Sequence, residues 1–100
     1  METKVITEGG KLTLYVSGRM DTVAAQKLGD EMKEILVDGV NEFSLDLSEC
    51  QYIASSGLRV ILQAQKKMNS VQGSMVVKNV SEDVMEVFEM TGFADILTIE

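Results

Sequence analysis

Two adjacent serines, Ser55 and Ser56, stand where a predicted buried strand passes through a turn into a predicted helix. Backbone N–H groups in the first turn of a helix have no partner within the helix, so they attract oxygen acceptors and negative charge. A hydroxyl at this position can cap the helix, act as a nucleophile or accept a phosphoryl group. The local pattern favours a cap, with Ser55 as the N-cap and Ser56 as the first helical residue.

Nucleophilic catalysis at either serine lacks an obvious base. A serine nucleophile needs a base within hydrogen-bond reach, and the chain contains no histidine, the most common catalytic base. Lys66 lies further along the same predicted helix, ~15 Å away by axial rise. We therefore expect a protein that is not an enzyme. Histidine is also the commonest transition-metal ligand, and we expect neither a metal nor another cofactor.

The residues that follow the serines have two explanations each. A glycine such as Gly57 destabilises a helix by ~1 kcal/mol relative to alanine, which indicates that a side chain would not fit here. The space can serve an oxyanion and an approaching nucleotide, or it can allow close packing against the preceding helix. Arg59, Gln63, Lys66 and Lys67 form a polar face of the predicted helix. Such a face is usually solvated, and its position next to the serines makes a partner-contact ridge the alternative.

Several other side chains near the serines are expected to be structural. Asp46, on the strand before them, satisfies loop N–H groups more often than it accepts a hydrogen bond from a site residue. Met20, Met68 and Met90 are expected to fill gaps in the core or at its edge rather than to form a recognition patch. Cys50 is expected to be a small buried hydrophobe.

Composition excludes several classes of function. The 100 residues fit one domain, 1–100, and carry a formal net charge of −7, which argues against direct binding to nucleic acid or to an anionic membrane surface. A single cysteine suits a reducing compartment. The N-terminal Met1-Glu2-Thr3-Lys4 does not resemble a signal peptide, and no apolar run reaches the ~18 residues of a membrane span. We expect a cytoplasmic, free-standing domain.

Hydrophobic periodicity places the serines within an alternating series of strands and helices. Core strands separated by helices imply parallel crossovers, so the order β-β-α-β-α-β-α-β predicts an α/β fold with a mixed, mostly parallel sheet and an N-terminal antiparallel hairpin. The predicted elements are a hairpin around Gly9-Gly10, a helix capped by Asp21 or Thr22 and ending near Asp38-Gly39, a strand over 43–47, a helix after the serines, a strand over 75–77, a helix capped by Ser81 and ended by Gly92, and a last strand over 96–99.

Four segments in this order resemble the STAS domain of bacterial anti-sigma factor antagonists. They are the strand Phe43 to Ser48, the run Ile53-Ala54-Ser55-Ser56-Gly57-Leu58, the earlier Gly18-Arg19-Met20-Asp21 and the late Thr91-Gly92-Phe93. Each is weak alone, but their order and placement on the predicted elements make the combination specific. The resemblance covers nearly the whole chain and implies a STAS-like fold.

The resemblance implies binding to an anti-sigma factor, which frees the sigma factor for transcription. In that family the anti-sigma factor is often also an ATP-dependent serine kinase, whose phosphorylation of the antagonist ends the interaction. The implied partners are therefore an anti-sigma factor that is a serine kinase, and a serine phosphatase. The family's phosphorylated residue is the first hydroxyl of the pair, here Ser55. Many members carry an aspartate where this chain has Ala54.

The resemblance also implies a partner-binding surface. Asp21 matches the acidic residue of the family's Gly-x-x-Asp element, which looks like part of that surface. We expect a monomer or a weak dimer. A non-catalytic STAS subunit of a lipid-transport ATPase or of a stress-signalling scaffold is the alternative function, with the same fold; both hydroxyls before Gly-Leu favour the phosphorylatable group. The predicted partner-binding residues are Asp21, Ser55, Ser56, Gly57, Arg59 and Gln63.

Overall fold

The computed structural model describes all of residues 1–100. Up to the third helix, the elements follow the predicted order. The longest helix has 16 residues, and none is both long and apolar enough to cross a membrane. The elements are β1 (Glu2–Glu8), β2 (Lys11–Met20), α1 (Thr22–Ile35), β3 (Glu42–Ile53), α2 (Ser55–Ser70), β4 (Ser74–Lys78), α3 (Glu82–Thr91) and α4 (Phe93–Ile96).

The four strands form one mixed sheet in the order β1-β2-β3-β4. β1 and β2 are an antiparallel hairpin, whereas β2 with β3 and β3 with β4 are parallel pairs. Parallel neighbours need a crossover between them, and α1 and α2 supply the two crossovers. The predicted α/β class, with a mostly parallel sheet and an antiparallel hairpin at its edge, is confirmed.

Burial along the strands shows where the core lies. In β2, Leu12, Leu14 and Val16 are buried while the residues between them are at least partly exposed, so only one face of this strand is covered. In β3, five consecutive residues, 43–47, are buried, so both faces of its first half are covered. β3 is thus a central strand, and the chain leaves its C-terminal end directly into α2.

Three helix ends confirm the predictions from local sequence. The Asp21 carboxylate accepts a hydrogen bond from the Ala24 N–H at 2.9 Å and caps α1. The Ser81 hydroxyl accepts one from the Val84 N–H at 3.2 Å and caps α3. Gly92 ends α3 with φ of +82°, in the left-handed region that glycine adopts without strain.

Two predicted boundaries are wrong. α1 ends at Ile35, three residues before Asp38, because Leu36 leaves the helical conformation (φ −86°, ψ 68°) and is buried in the core. The predicted last strand over 96–99 does not form, because Ile96 is the last residue of α4 and the chain beyond it has no regular strand. Only Ile99 makes a strand-like contact, a single parallel bridge to Val77.

One continuous cluster of 22 buried apolar residues forms the core. Met20 and Met68 belong to it, as predicted. Cys50 is also in it; its thiol donates to the Tyr52 carbonyl at 3.3 Å, and burial raises the thiol pKa. The prediction for Met90 is wrong, because this side chain is 79% exposed on the outer side of α3.

Candidate partner-binding site at the start of α2

Two loops meet where β2 and β3 end. Met20 and Ile53 are paired in the parallel register, and the Ala54 N–H donates to the Met20 carbonyl at 2.9 Å. Asp21 directly follows Met20 in the sequence, and Ser55 directly follows Ala54. The structure therefore brings α1 and α2 to neighbouring starting points at the carboxyl edge of the sheet, which is where ligands and partners commonly bind α/β folds.

Ser55 does not cap α2, contrary to the local prediction. Ala54 is the N-cap, with an extended backbone (φ −84°, ψ 166°), and the Leu58 N–H already bonds to the Ala54 carbonyl at 3.1 Å. The helix therefore begins one residue earlier than predicted, and Ser55 is its first helical residue. A methyl group cannot accept a hydrogen bond, so the first turn of α2 has no side-chain cap.

The two serines differ in exposure. Ser55 is exposed to solvent. Ser56 is half-buried, and its Oγ is a buried atom without a hydrogen-bond partner. A buried hydroxyl that lacks a partner costs about 1–3 kcal/mol. Of the two hydroxyls, Ser55 is the one that an incoming protein can reach.

Gly57 is required by close packing. A Cβ atom at this position would lie 2.7 Å from Met20 Sδ and 2.8 Å from Ile53 Cγ1. Both neighbours are buried in the core. The packing explanation for Gly57 is therefore correct, although its neighbours belong to the ends of β2 and β3 and not, as predicted, to α1. The absence of a side chain lets the first turn of α2 sit directly on the sheet.

Asp21 lies at the start of α1 with an orientation fixed by its capping hydrogen bond. One carboxylate oxygen, Oδ1, accepts from Ala24 and the residue remains exposed. Val23 follows in the first turn and is 66% exposed. Val23 is an apolar residue outside the buried stripe of α1, which consists of Ala24, Ala25, Leu28 and Met32, and this position off the stripe is its only signal in the sequence.

A cation–π contact adjoins the site and was not found from the sequence. Arg19 and Tyr52 are cross-strand partners, and the Arg19 guanidinium carbon lies 4.0 Å from the centroid of the Tyr52 ring. Both side chains are exposed, where such contacts contribute about 0.5–1 kcal/mol. Arg19 stands two residues before Asp21, and Tyr52 three residues before Ser55.

The polar face of α2 is exposed as predicted. Arg59 and Gln63 are both exposed and lie one and two helical turns beyond Ser55 on the same side of the helix. The two lysines of this face, Lys66 and Lys67, are also exposed. The candidate site is thus bounded by the acidic N-cap Asp21, the accessible hydroxyl of Ser55 and the cationic side chain of Arg59.

Asp46 joins β3 to the loop between β4 and α3. Its two carboxylate oxygens accept hydrogen bonds from the Ser48 N–H at 2.9 Å and from Asn79 Nδ2 at 2.8 Å. Burial acts to raise the pKa of this carboxyl, but these hydrogen bonds and the nearby Lys78 charge outweigh it, so the pKa lies below its ordinary value. Asp46 thus has a structural role, as predicted, although its donors are the N–H of Ser48 within β3 and the side-chain amide of Asn79.

The sequence of the whole chain matches one family model. Residues 2–100 match the model described as the STAS domain. The Bordetella bronchiseptica protein BtrV, described as a candidate anti-sigma factor antagonist, is 34% identical over 90 residues, which are 90% of this chain and 78% of BtrV. The anti-sigma-B factor antagonist of Listeria monocytogenes is 29% identical over 89 residues, 89% of this chain and 78% of that protein.

Solved structures share the fold. An anti-sigma factor antagonist from Mycobacterium paratuberculosis superposes with a TM-score of 0.87 at 22% identity, covering 98% of this chain and 83% of that one. The unphosphorylated form of the antagonist SpoIIAA superposes with a TM-score of 0.78 at 16% identity, covering 99% and 87%. These likenesses support the arrangement of strands and helices described above.

Proposed function

This chain belongs to the STAS domain family, and we propose that it is an anti-sigma factor antagonist controlled by phosphorylation of Ser55. In this proposal it binds an anti-sigma factor that is also a serine kinase, and so releases a sigma factor. Phosphorylation by that kinase ends the interaction, and a serine phosphatase restores it. The whole chain, 1–100, acts as one non-catalytic domain in the cytoplasm.

The observation that carries the proposal is the placement of Ser55. Ser55 is exposed and is the first helical residue of α2. The backbone hydrogen bond from Ala54 to Met20 joins the segment that contains Ser55 to the segment that contains Asp21. The names of the Bordetella and Listeria relatives support the role as an antagonist. Of the predicted contact residues, Asp21, Ser55, Arg59 and Gln63 are exposed and form the proposed contact surface, while the half-buried Ser56 and the buried Gly57 support the first turn of α2 behind it.

A phosphate on Ser55 is compatible with the fold. It adds about −1.5 to −2 charges, and an anion at a helix N-terminus is stabilised by about 0.3–1 kcal/mol. The first turn of α2 has no side-chain cap competing for its N–H groups. The modification therefore leaves the domain folded, and the switch acts by excluding the partner.

Exclusion follows from burying charge in the interface. A phosphate that loses its hydration without finding a partner cation is costly, and the Asp21 carboxylate adds repulsion of like sign. A loss of about 4 kcal/mol in binding weakens the affinity about a thousandfold. Repulsion and desolvation thus suffice for an on–off switch without any refolding.

Mass mapping after a kinase reaction tests the proposal. The protein is incubated with ATP and the histidine-kinase-like ATPase encoded nearest to it in its genome. We expect one phosphate, on Ser55, in the wild type and in the matched control Ser56→Ala, and none in Ser55→Ala. Phosphate on another residue, or none on the wild type, contradicts the assignment of Ser55.

A further inference from the structure

β1 forms an open edge of the sheet. It pairs only with β2, and every residue of β1 except the half-buried Thr3 is exposed. The exposed residues include Val5 and Ile6, at 37% and 44%. An open edge strand with apolar side chains is a template for pairing with another strand. We propose that two copies of this chain form a symmetric dimer by antiparallel pairing of β1 with β1, with Ile6 facing Ile6 at the two-fold axis.

The hairpin determines which backbone groups point outward. The turn at Gly9-Gly10 has two residues, so Glu8 and Lys11, which flank it, form a hydrogen-bonded pair. Hydrogen-bonded and non-hydrogen-bonded pairs alternate along an antiparallel ladder. The backbone groups of the even-numbered residues of β1 therefore face β2. The N–H and C=O groups of Thr3, Val5 and Thr7 point to the open edge.

This alternation leaves few possible registers for a symmetric pair. In a pair of β1 strands, a residue whose backbone groups point to the open edge must face another such residue. In a symmetric pair, the two-fold axis therefore lies where a residue faces the same residue of the second copy. With the axis at Val5, Glu2 faces Glu8 twice, and with the axis at Lys4, two lysines face each other. Like charges directly opposite one another destabilise a strand pair. Both of these registers are therefore disfavoured.

The register centred on Ile6 avoids every such clash. Lys4 of each copy faces Glu8 of the other copy, which gives two ion pairs between the copies. Val5 faces Thr7 in hydrogen-bonded pairs, and the two Ile6 side chains meet in the closer, non-hydrogen-bonded geometry. Glu8 already faces Lys11 within its own hairpin. In the dimer it lies between two lysines.

The pattern of β1 is complementary to itself, which is why the occupant is a second copy. The dimer joins two four-stranded sheets into one continuous sheet. It also leaves the start of α2 free, because β2 separates β1 from β3. The inference is thus independent of the proposed function. The formal net charge of −7 on each copy opposes association, so we expect a weak dimer that depends on concentration.

Cysteine cross-linking tests the register. Cα atoms in a non-hydrogen-bonded pair are about 4.5 Å apart, which is within the range of a disulfide. We expect Ile6→Cys to form a covalent dimer under mild oxidation, and the matched control Thr7→Cys, whose opposite residue is Val5, to form much less. Cys50 is buried, so the wild type should remain uncross-linked. Equal cross-linking of the two variants, or none in Ile6→Cys, overturns the proposal.

A charge swap tests the ion pairs by analytical ultracentrifugation. Lys4→Glu and Glu8→Lys should each weaken the dimer about tenfold, since each places like charges opposite one another. The double variant Lys4→Glu/Glu8→Lys restores both pairs between the copies and should bind more tightly than either single variant, although Lys11 now faces a lysine within each hairpin. Circular dichroism confirms that each variant is folded. A wild type that stays monomeric at its highest soluble concentration, or a double variant that binds no more tightly than the single variants, overturns the proposal.

Discussion

The Ala54 N–H donates to the Met20 carbonyl at 2.9 Å, and this contact joins the residue before Ser55 to the residue before Asp21. It extends the pairing of Met20 with Ile53 by one step beyond the sheet. The two helices consequently begin side by side. The candidate site is therefore built by the ends of two core strands, and its geometry depends on how tightly α2 packs over them.

We expect Gly57→Ala to destabilise the domain by about 1–3 kcal/mol, the usual effect of overpacking a core. The added methyl group would collide with Met20 Sδ and Ile53 Cγ1. Urea denaturation measures the change in the free energy of unfolding.

Gly29→Ala is the matched control for this substitution. Gly29 is also a helical glycine, but a Cβ there would lie 3.4 Å from Val60 Cγ2, an ordinary contact. This variant should be stabilised by about 0.4–1 kcal/mol, because alanine favours the helix and restricts the unfolded chain. A stabilised Gly57→Ala protein contradicts the packing explanation.

Asp21 combines a cap with a charge, and two substitutions separate them. Asp21→Ala removes the cap and should cost about 1 kcal/mol of stability, whereas Asp21→Asn keeps an oxygen acceptor and should cost only a few tenths. Thermal unfolding measures both changes.

The charge of Asp21 has its own readout. If it repels a phosphate on Ser55, Asp21→Asn should reduce the loss of partner affinity caused by phosphorylation, by up to about tenfold. The same loss in the wild type and in Asp21→Asn would show that the Asp21 charge plays no part in the switch.

Local rules in the sequence predict much of this molecule. The hairpin, the caps at Asp21 and Ser81 and the left-handed Gly92 follow from residues a few positions apart, and each is confirmed. Non-local contacts are harder. The contact between Arg19 and Tyr52 depends on a strand register that contains two irregularities, and no periodicity reveals such a register.

The start of α2 shows the limit of a rule based on residue preference. Serine is a preferred N-cap and alanine is not, so the pattern favours Ser55. In the structure the parallel register carries pairing through Ile53, and Ala54 then bonds to Met20, which fixes the extended residue before the helix. Tertiary context thus moves the helix start by one residue and leaves the Ser55 hydroxyl free of capping.

The lowered pKa of Asp46 predicts how stability changes at acid pH. The ionised carboxylate accepts two hydrogen bonds in the folded state, so its contribution is fully present above the ordinary pKa of 3.8 and is lost as the pH falls through the lowered folded value. Asp46→Asn should cost about 1–3 kcal/mol at pH 7, because asparagine keeps one oxygen acceptor but replaces the second with an amide nitrogen, which cannot accept the other bond.

Urea denaturation at neutral and at acid pH measures this effect. Below the lowered pKa of Asp46 the wild-type carboxyl is protonated, so the difference in stability between wild type and Asp46→Asn should shrink. Asp30→Asn, an exposed site on α1, is the control for the general effect of removing a carboxylate. A difference between wild type and Asp46→Asn that is the same at both pH values contradicts the linkage.

The dissociation constant for the anti-sigma factor, measured by calorimetry with Ser55-phosphorylated and unmodified protein, tests the central claim most directly. We predict that phosphorylation weakens binding about a thousandfold, that Ser55→Asp weakens it less, and that Ser55→Ala binds like the wild type. Equal affinity of the phosphorylated and unmodified proteins would contradict the claim that charge on Ser55 controls the interaction.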